Sequence, residues 1–353
     1  MTGEVRARTP LPYPVVLAAL VLLLLGAMVA GLAIGSISIP PADVARTVAH
    51  QIAPNLVEAS GLAHYQVVIT QVRGPRVVLG AVVGAGLAVL GMTLQALVHN
   101  PLADPYLLGV SSGASVGAVA MIVTGVAMFG PAVPVAAFAG ALLALGLVYT
   151  LSRSGGRITT TRLVLSGVAV AYVLSALTSL MLITSGTGDQ ARQILSWLLG
   201  GLGRASWDSL WLPLVAVAVG LVVLLAAGRT LNVLLAGDEA AITMGVDAHR
   251  FRAQTFVLVS LITGVLVAVS GPIGFVGLIL PHAVRLVVGS DHRRALPAAA
   301  LAGAVFLVLA DIVARTLASP QEIPVGVLTA LCGGPFFLWL IRRDARRGAA
   351  AQL

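Results

Sequence analysis

The feature that most limits what this chain can fold into is the recurrence of apolar runs with almost no charge inside them. A membrane-crossing helix needs about 20 consecutive, mostly apolar residues. The 353-residue sequence offers about ten such runs, near 14–35, 77–98, 107–128, 131–151, 163–184, 210–228, 254–270, 274–289, 296–317 and 323–341. With 58% hydrophobic and only 10% charged residues, no soluble core could hide this much apolar surface. The expected fold is an all-α integral membrane protein of about ten transmembrane helices, a single membrane domain over 1–353. The first run follows "VRARTPLPYP" and is too long for a cleaved leader, so it reads as a retained helix.

The charges that remain are informative. Every one of the 21 basic residues is arginine. Without lysine there is no G-x-x-x-x-G-K-[ST] phosphate loop, so ATP hydrolysis by that motif is excluded from this chain. The net charge of +8 is spread over loops and not gathered with aromatics, which argues against nucleic acid as a partner. With ten spans both termini share a side, and fifteen of the 21 arginines fall there, Arg6, Arg8, Arg153 and Arg293 among them. The positive-inside rule then makes both termini cytoplasmic. The lone Cys332 lies within the last run, can form no internal disulfide, and is expected to pack.

Beyond the outer, proline-bearing segment at 36–75 ("SISIPPADV"), three polar stretches interrupt the pattern. Residues 229–253 form the longest inner connection, where Asp238 is expected to cap a short helix and Gly245 to close it. Residues 185–209 suggest a short helix and a glycine-rich turn. The third, "HNPLADPYLLGVSSGASVG" at 99–117, places helix breakers between two runs. Sliding the sequence by 180 positions lays Gly84, Gly91, Pro101 and Gly109 on Gly264, Gly271, Pro281 and Gly289, a weak inverted repeat of the kind found in transporters. Irregular backbone at membrane depth is tolerated where protein or a water-filled path satisfies it.

A gradient-driven transporter normally carries ionisable groups in its spans. The clear acid here is Asp311, with Arg315 one turn later; a structural pair is the favoured reading, and an ion-coupled secondary transporter using Asp311 is the alternative. The six histidines lack metal-ligand spacing, so no metal site is expected. No nucleophile with a base and no paired carboxylates appear in the spans, so no catalytic residues are assigned.

"RGPRVVLGAVVGAGLAVLGMTLQALVHNPLADPYLLGVSSGASVGA", "SGPIGFVGLILPHAVRLVVGSDHRRALP", "LADIVAR" and "EIPVGVLTALCGGPFFLWLI" resemble permease subunits of ATP-binding-cassette importers for ferric siderophores, haem and cobalamin, the FecCD/BtuC-type family. The resemblance runs from about residue 70 to 343. It implies a permease domain paired with a second permease, a homodimer in the simplest case. Two cytoplasmic ATPase subunits would carry the ATP and magnesium, with no cofactor in this chain. An extracytoplasmic binding protein would deliver cargo at the bacterial cytoplasmic membrane. It implies a cytoplasmic gate at Asn100, Leu102, Thr160 and Thr161, ATPase coupling through Asp238, Glu239, Ala240 and Gly245 in the 229–253 loop, and binding-protein docking at Arg73, Arg76 and Arg315. By family frequency the cargo order is ferric siderophore, haem, then cobalamin. Where the family carries a bulky apolar residue before the proline of R-x-P-R, this chain has Gly74.

Overall fold

The structure is a computed structural model that describes residues 12–56, 63–125, 132–154, 157–158 and 160–350, without the side chains of 107–108, 154, 157–158, 160, 238–240, 340–341 and 343–350. Arg6 and Arg8 lie outside the described residues. The element order begins α1 (Tyr13–Ala33), α2 (Pro41–Ile52), α3 (Ala63–Val67), a π-helical stretch (Val68–Arg73) and α4 (Gly74–Leu97). A 3₁₀ turn (Pro105–Leu108) precedes α5 (Val110–Val123) and α6 (Ala132–Ser152). A two-residue hairpin, β1 (Arg153–Ser154) with antiparallel β2 (Arg157–Ile158), leads to α7 (Thr160–Ile183). Then come α8 (Gly188–Leu198), α9 (Trp207–Ala226), α10 (Gly228–Leu235), α11 (Asp238–Thr243), α12 (Ala248–Ser270), α13 (Val276–Val288), α14 (His292–Thr316) and α15 (Val325–Ala350).

Among the described residues, seven helices are long and apolar enough to cross a bilayer, and three shorter apolar ones, Val110–Val123, Val276–Val288 and Val325–Trp339, complete the ten expected runs. The two inner short ones depart from the expected lengths for a local reason. The chain leaves α4 through a turn at 98–104, and Gly109 holds φ +73 before α5 starts. With 14 residues, α5 spans about 21 Å, less than a hydrocarbon core of about 30 Å. The α13 helix is shorter still and begins after an irregular segment at 271–275.

The centre of the bundle is α4, buried on almost every side and packed by α14, α13, α12 and α9. Lipid tails are as apolar as the side chains, so helices here are held by close van der Waals approach, which small residues permit. A Cβ on Gly84 would lie 2.2 Å from the Gly303 carbonyl oxygen of α14, and one on Gly113 of α5 would lie 2.3 Å from the Gly140 carbonyl oxygen of α6. Gly84 and Gly264, matched by the 180-residue shift, both sit inside spanning helices, and Gly109 and Gly289 both take positive φ. The other two pairs differ locally. Gly91 is mid-helix while Gly271 ends α12, and Pro101 is in a turn while Pro281 is inside α13.

Cys332 is exposed on α15, contrary to the expectation that it packs, because α15 turns that face outward beside Leu331. The 185–209 stretch carries the expected short helix, α8, followed by a turn in which Gly200 takes φ +68.

The glycine contacts give a direct test. Gly84→Ala forces a methyl group into backbone that cannot rotate away, and should destabilise the chain by about 1–3 kcal/mol. Gly146→Ala on α6, where a Cβ meets nothing within 4 Å, should not. Thermal unfolding of the two purified variants in one detergent measures the difference.

Candidate functional site

Two ends of the bundle hold the residues the sequence singles out. At one end are Arg73, Arg76 and Arg315; at the other, Asn100, Leu102, Thr160, Thr161 and the α10–α11 segment. The first end is shaped by Pro75. Where the π-stretch closes, the Gly74 N–H donates to the Ile69 carbonyl, an i to i−5 bond. The next bond in that pattern would run from residue 75 to Thr70, and proline has no N–H to make it. The Trp207 indole donates to the Thr70 carbonyl instead, at 2.7 Å. A Cβ at 74 would sit 2.9 Å from the Ile69 carbonyl oxygen and 3.0 Å from the Trp207 ring, so glycine here, the departure from the family pattern, suits both the π-turn and the tryptophan.

The three arginines then radiate from this end into the protein. Arg73 donates to the carbonyls of Leu32 at 2.8 Å and Ala33 at 2.9 Å, in the last turn of α1, and to that of Ile37 in the segment that follows. Arg76 grips Asp311 with NH2 at 2.9 Å and Nε at 3.0 Å, and reaches Glu322 with NH1 at 2.7 Å. Arg315 meets Asp311 at 3.0 Å and donates to the Gly31 carbonyl at 3.1 Å. One carboxylate therefore joins α4 to α14, and Arg315 extends the tie to α1. Asp311 has a side chain 3% exposed, and all three arginines are buried. Only Glu322, half exposed, faces outward. The sequence pairing of Asp311 with Arg315 is present. Arg76 and Glu322 as further members were not foreseen, although Glu322 begins the "EIPVGV" motif.

At the opposite end, Asn100 and Leu102 are exposed in the turn after α4. The turn is self-fastened: Asn100 Oδ1 accepts from the Leu102 N–H at 2.9 Å, and Asp104 Oδ1 from the Tyr106 N–H at 2.9 Å. His99, at φ +52, hydrogen-bonds through Nε2 with the Leu234 carbonyl of α10. The Tyr106 hydroxyl accepts from the Ile273 N–H at 3.0 Å, so the two irregular segments, 98–109 and 271–275, meet inside the bundle. Leu163 of α7 shares a small cleft with Leu97 and Val98, which brings the start of α7, with exposed Thr161, to the same end as Asn100. Thr160 begins α7, and its side chain lies outside the described residues.

The 229–253 segment contains α10, α11 and the first turn of α12. Gly237 precedes α11 at φ +102 and its carbonyl accepts from the Ala241 N–H, so the N-cap is Gly237, one residue earlier than expected, and Asp238 is the first helical residue. The end of α11 is as expected. Gly245 takes φ +75, its N–H bonds to Ile242, and the Val246 N–H bonds to Ala241, the paired bonds of a Schellman motif. Ala241 is buried while Ile242 and Met244 are 68% and 65% exposed, so this six-residue helix presents an apolar knob. The side chains of Asp238, Glu239 and Ala240 lie outside the described residues. Asn232 ties α10 to the start of α14 by donating to Asp291 at 2.7 Å. That hydrogen bond, joined by the Arg293 N–H, holds the Asp291 carboxyl below the usual carboxylate range.

The ion cluster makes a prediction that separates structure from proton transfer. Asp311→Asn leaves Arg76 and Arg315 without their shared counter-charge, and losing one partner of a buried pair costs about 3–5 kcal/mol. Thermal stability should fall by that order at neutral pH. A proton-relay role instead predicts unchanged stability with lost transport.

Comparison with known proteins fits this architecture. The model of the FecCD transport family matches residues 21–343, reaching much nearer the N-terminus than the motifs alone. The cobalamin import system permease protein BtuC of Halobacterium salinarum is 51% identical over 283 residues, covering 80% of this chain and 75% of that protein. The permease protein YvrB of Bacillus subtilis is 41% identical over 91% of each chain, and the hemin transport system permease protein HmuU of Yersinia pestis is 42% identical over 78% of this chain and 84% of its own. A solved structure described as an inward-facing metal-chelate type ABC transporter superposes with a TM-score of 0.79 at 33% identity, over 94% of this chain and 99% of that one. With the family model covering nearly all ten spans, the chain is a multi-span membrane permease that belongs to the FecCD transport family.

Proposed function

We propose that this chain is the membrane-spanning subunit of an importer that passes a bulky metal chelate inward across a bacterial cytoplasmic membrane. ATP and magnesium would act on two separate ATPase subunits, a second copy of this chain would complete the path, and an extracytoplasmic protein would deliver cargo. The observation that carries this reading is α11. A six-residue helix is too short to persist unless packed, yet it is closed at both ends by positive-φ glycines and offers Ile242 and Met244 to solvent. That is the form of a docking element, and Asp238, Glu239, Ala240 and Gly245 are its coupling residues. Docking makes the Asn100 end cytoplasmic, with both termini on that side, and makes Asn100, Leu102, Thr160 and Thr161 the inner gate.

The second copy is supported by α7. Tyr172, Ser175, Ala176 and Ser179 form an exposed stripe at helical spacing, polar enough to face a water-filled path shared between two copies. The opposite end would receive the binding protein. There Arg73, Arg76 and Arg315 outnumber Asp311 and Glu322 by one charge, and a surplus of one sign steers encounter even where each arginine is buried. Because they are buried, their reversal should not leave a folded chain: Arg76→Glu would set a like charge against Asp311 and Glu322, and Arg73→Glu one against the carbonyls of Leu32, Ala33 and Ile37. The ion-coupled alternative loses support, since Asp311 is held by two arginines.

Family frequency orders the cargo as ferric siderophore, haem, then cobalamin. The relatives described above are named for cobalamin and haem, which supports testing a corrinoid first. Liposomes holding this chain with its ATPase and binding protein should accumulate labelled cobalamin only with ATP. The chain alone should neither hydrolyse ATP nor accumulate cargo. Uptake by the chain alone under a proton gradient, lost in Asp311→Asn, would overturn the reading.

The coupling helix has its own test. Gly245→Val places a branched side chain at φ +75, a conformation that costs about 1–2 kcal/mol for an L-residue. Co-purification of the ATPase should fall several-fold while the permease remains monodisperse. Unchanged association and transport would reduce α11 to a connector.

A further inference from the structure

A second cavity lies away from the inner gate, and Gly203 on its lining borders Arg76 and Glu322 of the ion cluster. It is a cleft of about 980 Å³ near the Arg76 end. Its floor is Val265 and Val269 of α12, and its walls are Val135 and Phe138 of α6 and Leu212 of α9. Both α6 and α9 pack along α12 while the space between them stays open. Val135 and Leu212 turn outward from helices that cross the bilayer, so the cleft opens sideways toward lipid. The chemistry changes at its upper edge. Arg204 and Asp208 line the rim. Neither has a hydrogen-bond or ion-pair partner among the described residues, and they do not pair with each other. Ser206 and Ser209 on the same rim are already bonded to one another across the first turn of α9. Burial against the cleft lowers the Arg204 pKa with no carboxylate to offset it.

Depth matches this change of character. Asp208 is in the first turn of α9 and Leu212 about one turn deeper, some 6 Å. The exposed Trp207 and Trp211 flank Asp208 on α9, and tryptophans collect at the membrane–water interface. The charged rim is thus at headgroup level and the apolar walls at acyl level. An unpaired cation and an unpaired anion on one rim complement a zwitterion. A phosphodiester suits a guanidinium, and an ammonium with N–H donors suits a carboxylate.

We infer that this cleft is a phospholipid site, taking the acyl chain of a phosphatidylethanolamine between α6 and α9, with its phosphate on Arg204 and its ammonium on Asp208. The site is independent of what the permease carries.

A photoactivatable phosphatidylethanolamine with a diazirine in its acyl chain, incorporated with the full-length protein into liposomes, tests it. Cross-links should concentrate in peptides holding Val135, Phe138, Leu212 and Val265. An otherwise identical phosphatidylcholine probe, whose quaternary head cannot donate to a carboxylate, should label them about fivefold less, the scale of one exposed charge contact. Arg204→Gln should lower labelling by both probes. Asp208→Asn should abolish the preference between them while leaving phosphatidylcholine labelling in place, an effect that general damage to the fold would not produce. Labelling spread evenly over all exposed helices would overturn the proposal, as would a preference that survives Asp208→Asn. Displacement by soluble glycerophosphoethanolamine or by cobalamin at concentrations that leave the liposomes intact would also overturn it, by showing a site for a soluble ligand.

Discussion

Inside a bilayer no water is available to a backbone N–H or C=O, so every departure from regular helix must bring its own hydrogen-bond partner. The irregular parts of this protein follow from that requirement. Pro75 removes a donor, and the Trp207 indole takes the Thr70 carbonyl. At the last turn of α1 the Arg73 guanidinium donates to the carbonyls of Leu32 and Ala33 and to that of Ile37 in the segment beyond. The break after α12 frees the Ile273 N–H, and the Tyr106 hydroxyl accepts it. In each case a side chain from another element supplies what the local helix has lost. The exceptions to regular structure are therefore also the cross-links between helices.

The ion cluster obeys the same logic with charge. A buried arginine is costly unless paired, and a buried carboxylate likewise. Asp311 answers Arg76 and Arg315 together, and Arg76 turns its remaining donor to Glu322 at the surface. Such a network contributes less to net stability than its short distances suggest, because desolvation offsets much of the attraction. Its effect is on arrangement: α1, α4 and α14 are held in one register at the Arg76 end, while glycine contacts such as Gly84 on Gly303 hold α4 and α14 lower down.

The ten spans were legible because a membrane imposes a length and an apolar composition that any folded arrangement must satisfy. The Gly245 cap was legible too, since a glycine closing a short helix is a local signal, and so was the pairing of Asp311 with Arg315 at i and i+4. What the sequence could not disclose depends on long-range approach. Arg76 and Asp311 are 235 residues apart. Nothing near "RGPR" announces that its second arginine is interior and not a surface contact. The π-stretch was equally hidden. Pro75 shows that a donor is missing but not that Trp207 will stand in for it. The N-cap of α11 was placed one residue late, because aspartate is a strong cap by itself and the positive φ of Gly237 is visible only in the backbone.

A contiguous series of contacts links the two ends. The α11 helix packs on α10, and the Leu234 carbonyl of α10 meets His99. His99 adjoins Asn100 in the turn that ends at the 3₁₀ stretch, and Tyr106 from that stretch holds Ile273. The segment at 271–275 abuts Gly200, whose carbonyl accepts from the Gly326 N–H at the start of α15. Contiguity alone does not transmit a signal; some member must have two arrangements. The joints in this series are turns and positive-φ residues, His99, Gly109, Gly200 and Gly271, and not helix interiors. Backbone at such positions changes direction without breaking a helical ladder, whereas the glycine-to-carbonyl contacts of α4 and α14 leave no room to slide. A movement begun at α11 would therefore be taken up by the two irregular segments, and the α4–α14 pair would remain the fixed frame against which they shift.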